Sequence, residues 1–576
     1  MLMTMRRVCV LMFMGLFAVV PRLAAQQTGA QAAAKNDGIP IESELVRAKC
    51  GGCHRSDEQH RMSRISYRRA SPENWQRTIE RMMSINHASL TADDARGIVK
   101  YLADHLGLAP QEARPAQFEY ERRVIDYTYT GDKDTAELCS GCHSMGRVVS
   151  ERRTAEEWAL LVAMHRGYYP LTDNQPIANG QGFRRSRPAS TEPMPDGRPP
   201  DTRQPMDKAI AYLSKSFPLV TPEWSTWSAS TSSPRLAGRW AVTGSMPGKG
   251  PVFGEMVVTA DAAADSFVTE THLTIALTGQ TITRSGKGIV YTGYEWRGRG
   301  FESAKPDEPW REVMFVERDR AEMWGRWFTG AYDETGMDVR LTRENGSPLV
   351  LGVARPGIKI GNSGRTLQIF GTNLPTTLTP ADIDLGPGLT VTRVVGAAPT
   401  MVSLEVSVAS DAKPGPRDIA IAGASRPTAL IVFQKIDGIR VLPRAGMART
   451  GGIGFPKQFQ QFEAIAFANG PDGKPDTDDD WPLGLVDAKW AVEEYTSTFG
   501  DDDVRWIGSI DPVSGLFTPN VDGPNPERSG NRNNVGDVWV TAEYAPGGEE
   551  RPIKARAHLL VTVPLYMGWG TSEVAK

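Results

Sequence analysis

Two copies of Cys-x-x-Cys-His, Cys50-Gly-Gly-Cys53-His54 and Cys139-Ser-Gly-Cys142-His143, use four of the five cysteines in a chain of 576 residues. In this pattern the two sulfurs bond to the vinyl groups of a c-type haem and the histidine supplies the proximal iron ligand, so all three side chains must share one helical turn. A thioredoxin-like redox pair and half of a zinc site are the other uses of Cys-x-x-Cys. Neither needs the trailing histidine, and no second Cys-x-x-Cys lies close to either copy. Two covalently bound haem c groups are therefore expected, attached through Cys50, Cys53, Cys139 and Cys142, with His54 and His143 as proximal ligands.

The fifth cysteine, Cys9, lies in Met1–Ala25, where Arg6 and Arg7 precede an apolar run from Val8 to Val20 and Leu23-Ala24-Ala25 supplies small residues for cleavage. That run is well short of the ~20 residues a membrane-crossing helix needs. Residues 1–25 read as a cleaved secretory signal, with a membrane-anchored signal as the alternative. Cleavage after Ala25 removes Cys9 and leaves every remaining cysteine in a haem motif. No comparable apolar stretch follows, so the mature chain is expected in the periplasm, where apo-cytochromes receive haem, without a transmembrane segment. The formal charge is −3 and falls further once Arg6, Arg7 and Arg22 are removed, which gives no support to a nucleic-acid partner.

A chain of this length exceeds one hydrophobic core, which rarely grows past ~250–300 residues. Residues 26–221 read as an all-α dihaem cytochrome c domain built of two repeats, about 26–115 and 116–221. Glu73-Asn74-Trp75 opens a helix in the first and Glu156-Glu157-Trp158 in the second; Ile98–Leu102 and Ile210–Leu213 close them. The second repeat is lengthened by a Pro/Arg/Gly-rich stretch, Asn174–Pro205, too rich in breakers for regular structure. After Pro222, Val/Thr alternation with closely spaced Gly and Pro replaces helical spacing. Three all-β domains are expected: a barrel-like one over 222–343, an immunoglobulin-like one over 344–435 and a second immunoglobulin-like one over 436–576.

A haem used for electron transfer takes a second axial ligand, and the repeat narrows the choice: seven residues after the paired tryptophans stand Met82 and His165. These are the candidate distal ligands, with Met83 and His87 as rivals at the first iron and Met164 at the second. Methionine raises haem potential relative to histidine, so the first haem is expected to be the better acceptor. His60 and His105 read as exposed polar positions, and His272 and His558 lie in β segments without a companion ligand. The acidic run Asp472–Asp480 departs from calcium-loop spacing and reads as a solvated turn. Seven tryptophans from Trp224 to Trp327 read as core aromatics.

A duplicated Cys-x-x-Cys-His region followed by three β domains resembles the alpha subunit of quinohemoprotein amine dehydrogenase over essentially the whole mature chain. The two haem motifs anchor the resemblance, supported by Leu236-Ala-Gly-Arg-Trp240 and Gly371-Thr-Asn-Leu374. It implies a heterotrimer that oxidises primary amines. The cysteine tryptophylquinone lies on a small gamma subunit, a beta-propeller subunit completes the site, and electrons leave through the alpha haems to a blue-copper protein or cytochrome c. No catalytic residue is then assigned to this chain. A dihaem cytochrome subunit of another secreted dehydrogenase, a dihaem peroxidase and a haem-bearing surface-binding protein are the alternative readings.

Overall fold

The computed structural model describes residues 37–116, 129–140, 143–169, 172–174, 199, 201–303, 305–452, 454–496, 501–547 and 551–564. The expected signal 1–25, Cys142 and most of the Asn174–Pro205 stretch lie outside the described residues. Among these residues no helix is long and apolar enough to cross a membrane.

The first repeat consists of α1 (Glu44–Cys50), strand β1 (Arg68–Ala70), α2 (Pro72–Ser84), α3 (Ala92–His105) and the short α4 (Pro110–Ala113). The second consists of α5 (Lys133–Cys139), α6 (Gly146–Val149), strand β2 (Glu151–Arg153), α7 (Ala155–Tyr168) and α8 (Pro205–Ser216). The repeat is chemical as well as sequential. Ser71 caps α2 and Thr154 caps α7, each side-chain oxygen accepting from the backbone three residues on, and each cap stands four residues before its tryptophan. Both indoles are buried, and each donates to the backbone carbonyl just after the closing helix of its repeat. Trp75 Nε1 reaches Leu106 O at 3.0 Å and Trp158 Nε1 reaches Phe217 O at 3.4 Å.

β1 and β2 pair antiparallel and join the two halves, placing Arg68 opposite Arg153 and Arg69 opposite Arg152. Like charges facing across a ladder repel, so the pairing needs anions, and two buried carboxylates supply them. Glu112 accepts from both Arg69 Nη atoms (2.8 and 2.9 Å), Arg152 Nε (3.1 Å), Thr221 Oγ1 (2.8 Å) and Ala109 N (2.8 Å). Glu151 accepts from Arg68 Nη2 at 2.5 Å and Arg153 Nε at 2.7 Å. Burial pushes both carboxyls up, but the surrounding guanidiniums more than offset it and hold each down to about 2. The arginine faces are covered too: Arg69 lies over Trp224 at 4.6 Å, Arg68 over Trp75 at 4.7 Å and Arg152 over Phe217 at 4.9 Å.

The region after Pro222 begins with a helix rather than a strand. Pro222–Ser228 forms α9, with proline at the start of its first turn and Thr221 Oγ1 accepting from Trp224 N; the strands begin at Gly238. Eight strands then close an up-and-down barrel: β3 (Gly238–Met246), β4 (Gly250–Ala260), β5 (Ser266–Ile275), β6 (Thr281–Tyr291), β7 (Glu295–Glu302), β8 (Lys305–Val316), β9 (Glu322–Thr329) and β10 (Thr335–Arg343), with β10 pairing back onto β3. Strand alternation fills the lumen with Trp240, Trp296, Trp327, Met314 and Met337. The lumen also holds a charged pair: the Arg284 guanidinium lies 4.4 Å from the centre of Trp327 and 5.2 Å from that of Trp310, with Glu312 at 3.9 Å.

The barrel grips the first haem repeat through the β6–β7 turn. Thr292 and Gly293 both have positive φ (54° and 76°) and Tyr294 N donates to Tyr291 O at 3.1 Å, a type I′ turn within a three-residue connection that sets Tyr291 opposite Glu295. A β-branched residue is strained there, and the contacts offset that cost: Thr292 N donates to Asp104 Oδ1 and Thr292 Oγ1 to Ala103 O, each at 2.8 Å. Tyr294 Oη donates to Leu108 O at 3.1 Å, and Arg297 pairs with Glu73 of α2. Arg297 also lies 3.4 Å from Glu295, whose carboxyl burial pushes up to about 8, since one guanidinium already committed to Glu73 cannot hold two carboxylates ionised in the same buried site.

Two β-sandwich regions follow. The first faces a sheet of β11 (Leu349–Val353), β13 (Arg365–Thr372), β16 (Met401–Val408) and β15 (Leu389–Ala398) onto one of β12 (Gly357–Lys359), β18 (Ala424–Phe433), β17 (Gly415–Ile421) and β14 (Ile383–Asp384) around Ile369, Leu404, Ile419 and Val432, an immunoglobulin-like packing. The second is built on a four-stranded sheet containing Gly536–Tyr544 and Ile553–Thr562 and a three-stranded one containing Glu463–Ala468, with Phe462, Phe517 and Val540 inside. In its acidic run Asp472–Asp480, arginines stand against the carboxylates: Asp476 Oδ1 accepts from Arg440 Nε at 2.8 Å and Arg444 Nη2 at 2.6 Å. No cluster suited to a metal ion occurs among the described residues.

Candidate haem centres

The first Cys-x-x-Cys-His leaves α1 as a continued turn. Cys53 N and His54 N both donate to Cys50 O, at 3.2 and 2.9 Å, which brings Cys50, Cys53 and His54 onto one turn as attachment to a single macrocycle requires. Cys50 is half-buried against the cluster of Val46, Trp75 and Leu102, and Cys53 is exposed. Burial, followed by the neighbouring Cys53, pushes the Cys50 thiol up. His54 Nδ1–H donates to Ser63 O at 2.9 Å, which fixes the tautomer and leaves Nε2 with its lone pair for iron.

The second centre repeats the design. Cys139 ends α5 and packs against the cluster of Met145, Trp158 and Leu213. His143 Nδ1–H donates to Ser144 O at 2.9 Å, again leaving Nε2 for metal. His165, on α7, donates Nδ1–H to Leu161 O at 2.9 Å and is prepared in the same way. Burial first, and then the nearby Arg147 charge, outweigh the hydrogen bond to Ser144 and hold the His143 imidazole down to about 4, so it stays neutral and ligand-competent at neutral pH.

On α2, Trp75, Ile79 and Met82 share one face at helical spacing, as do Trp158, Val162 and His165 on α7. Met82 is half-buried, and its sulfur accepts from Asn86 Nδ2 at 3.7 Å. The rivals at the first centre are turned outward: Met83 is 36% exposed, and His87 is exposed on a left-handed backbone (φ 56°). Met164 shares the half-buried class of His165. The residues present fit haem c: a one-turn thiol pair at the first site, Cys139 against an apolar wall at the second, and histidines with Nδ1 committed and Nε2 free.

The arginine–glutamate layer between the two centres was not among the candidate residues read from the sequence. Its signal was there, since Arg68-Arg69 stands before the cap of α2 and Arg152-Arg153 before that of α7. A doubled arginine just before the cap in each repeat, offset by one residue between them, signals a need for buried counter-charge.

Paired haem motifs on tryptophan-anchored helices, mounted on a barrel and two sandwiches, define a multidomain haem-binding protein of the redox class. Four family models account for most of its length: "Quinohemoprotein amine dehydrogenase A, alpha subunit, haem binding" over residues 41–185, and domains II, III and IV of the same alpha subunit over 233–344, 347–434 and 439–573. The chain belongs to the quinohemoprotein amine dehydrogenase alpha subunit family, and is thus one subunit of an amine dehydrogenase.

No curated protein matches it. Among solved structures, a redesigned beta barrel is similar at 16% identity, covering 19% of this chain and 92% of its own (TM-score 0.17). Drosophila N-cadherin EC1-3 is similar at 11% identity, covering 42% and 78% (TM-score 0.19). Scores this low add nothing to the assignment.

Proposed function

We propose that this chain is the dihaem electron-transfer and scaffold subunit of a periplasmic quinohemoprotein amine dehydrogenase. In this reading it accepts electrons from a cysteine tryptophylquinone on a small gamma subunit during oxidative deamination of primary amines, beside a beta-propeller subunit, and passes them to a blue-copper protein or cytochrome c. The observation that carries it is the pair of Cys-x-x-Cys-His sites, whose histidines each commit Nδ1 to a backbone carbonyl, within a chain of this family. A haem held at each site supplies one-electron redox chemistry.

The chain's own residues do the rest. Cys50 with Cys53 and Cys139 with Cys142 anchor the groups covalently; His54 and His143 are the proximal ligands, and Met82 and His165 the distal ones. Methionine at one site and histidine at the other place the first site at the higher potential. Every cysteine beyond residue 25 belongs to a haem motif, so a cysteine-derived quinone belongs to a partner. The apolar clusters around Trp75 and Trp158 back the helices that carry the ligands.

Intact mass and the pyridine haemochrome spectrum test the haem assignment. The native chain is expected to carry two haems that survive acid–acetone extraction, and the Cys139→Ala/Cys142→Ala chain one. Haem that extracts freely, or an unchanged count in the double variant, contradicts it.

A further inference from the structure

The β6–β7 turn that docks the barrel on the first haem repeat encloses a carboxyl whose hydrogen-bond geometry fixes its proton. Glu295 is 2% exposed. Its Oε2 lies 3.3 Å from Thr292 Oγ1, and that hydroxyl has one proton, which it donates to Ala103 O at 2.8 Å. Toward Glu295 the hydroxyl therefore offers only lone pairs. An ionised carboxylate would set lone pairs against lone pairs in a buried site, whereas a protonated Glu295 donates from Oε2 to Thr292 Oγ1. Its Oε1 accepts from Arg297 Nη2 at 3.4 Å.

The surrounding charges act in the same direction. Arg297 is already paired through Nε with Glu73 of α2. From α3, Asp104 faces the turn together with Lys100, which is shared with Asp265 of the barrel. Two cations thus meet three carboxylates before Glu295 is counted. The other sides bring no counter-charge: β8 sets Phe315 opposite Glu295, and Glu112 of α4 is spent on Arg69 and Arg152. Burial pushes the Glu295 carboxyl up to about 8; Arg297 offsets part of this, and Glu73 and Asp104 add to it. Burial also holds the phenols of Tyr291 and Tyr294 well up, so both stay neutral. His105, at the end of α3, is exposed and lies against Tyr101, 4.4 Å between ring centroids.

We propose that Glu295 is a proton latch between the barrel and the first haem repeat. Protonated, it bridges Thr292 to Arg297 and the turn stays on α3; when its proton passes to water, the carboxylate draws solvent into the junction and the turn lifts off Ala103 and Asp104. The latch bears on the haem repeat because α2 and α3 supply Trp75, Val99 and Leu102 to the cluster that packs Cys50, and Tyr291 of the barrel belongs to the same cluster. An exposed glutamate ionises at roughly 4.3. A carboxyl raised in the docked state stabilises docking fully below that value and loses the contribution as pH rises to the docked value. The grip therefore weakens up to about pH 8 and is constant above it.

Hydrogen exchange on the full haem-loaded chain between pH 5 and pH 9, corrected for the intrinsic pH dependence of amide exchange, tests this. Protection in Val99–Leu108 and Ile289–Arg297 is expected to fall about tenfold per pH unit up to about pH 8 and then level off, while the last sandwich stays unchanged. Glu295→Gln, which keeps the shape of the neutral acid, is expected to abolish the slope, and His105→Asn to leave it. The infrared carbonyl stretch of a buried protonated carboxylic acid is expected in the wild type at pH 6, lost with the same midpoint, and missing from Glu295→Gln. Protection that does not depend on pH, a slope that persists in Glu295→Gln or vanishes in His105→Asn, or identical acid bands in wild type and Glu295→Gln overturns the proposal. If Glu295→Gln fails to fold, Glu73→Gln decides it: with Arg297 freed for Glu295, the levelling-off is expected at least one pH unit lower, and an unmoved transition overturns the latch.

Discussion

Replacing Glu112 by alanine is expected to destabilise the helical region by about 3–5 kcal/mol, the cost of breaking a buried ion pair by removing one partner. The variant leaves Arg69 and Arg152 buried on the barrel-facing side of the β1–β2 ladder with no carboxylate between them, and it removes the acceptor that ties Thr221 to the same point. Glu112→Gln keeps the volume but not the charge, and is expected to recover only part of the loss. Denaturant unfolding followed by the haem absorption bands measures it; a change under about 1 kcal/mol would show that the layer contributes as an ordinary surface ion pair does.

The same layer sets a pH dependence. Glu112 and Glu151 are held down to about 2, against roughly 4.3 in an unfolded chain. Depressed carboxyl values contribute stability that is fully present above the unfolded value and lost as pH falls toward the folded one. Each group accounts for on the order of 3 kcal/mol at neutral pH. Stability of the helical region is therefore expected to fall steeply from about pH 4.5 to pH 2, and Glu112→Ala to flatten that slope by about half.

His165→Ala is expected to remove the sixth ligand from the second centre alone. Half of the haem in the chain should pass from six-coordinate low-spin to five-coordinate high-spin, while the other half keeps its methionine-ligated signature. His165→Met should restore a low-spin spectrum and raise the potential of that centre toward the first. The change is confined to the ligand because Trp158 and Val162, which bury α7, are untouched and His165 is only half-buried. A spectrum unaltered by His165→Ala would move the ligand to Met164, one residue earlier on the same helix.

Much of this architecture was legible in the sequence because it is written in local patterns. Cys-x-x-Cys-His dictates a one-turn geometry, alternation in Gly254–Ala260 and Phe267–Ile275 gives strands, and the equal spacing from Trp75 to Met82 and from Trp158 to His165 places two side chains on matching helix faces. What was not legible depends on distant partners. Pro222–Ser228 sits between regions of contrasting pattern and reads as the start of a β domain; its helix rests on the Thr221 cap, and Thr221 is itself fixed by Glu112, 109 residues earlier. The Arg284–Glu312 pair lies on alternating strands that read as ordinary barrel, and no local rule places a charge in a lumen.

On the proposed function, this chain takes electrons from amine oxidation occurring on another subunit. The most direct measurement is the anaerobic visible spectrum of the natively purified complex before and after addition of a primary aliphatic amine, with the isolated chain as control. Reduced c-haem bands in the complex and none in the isolated chain are the predicted result. Haems that dithionite reduces but amine does not, in the intact complex, would contradict it.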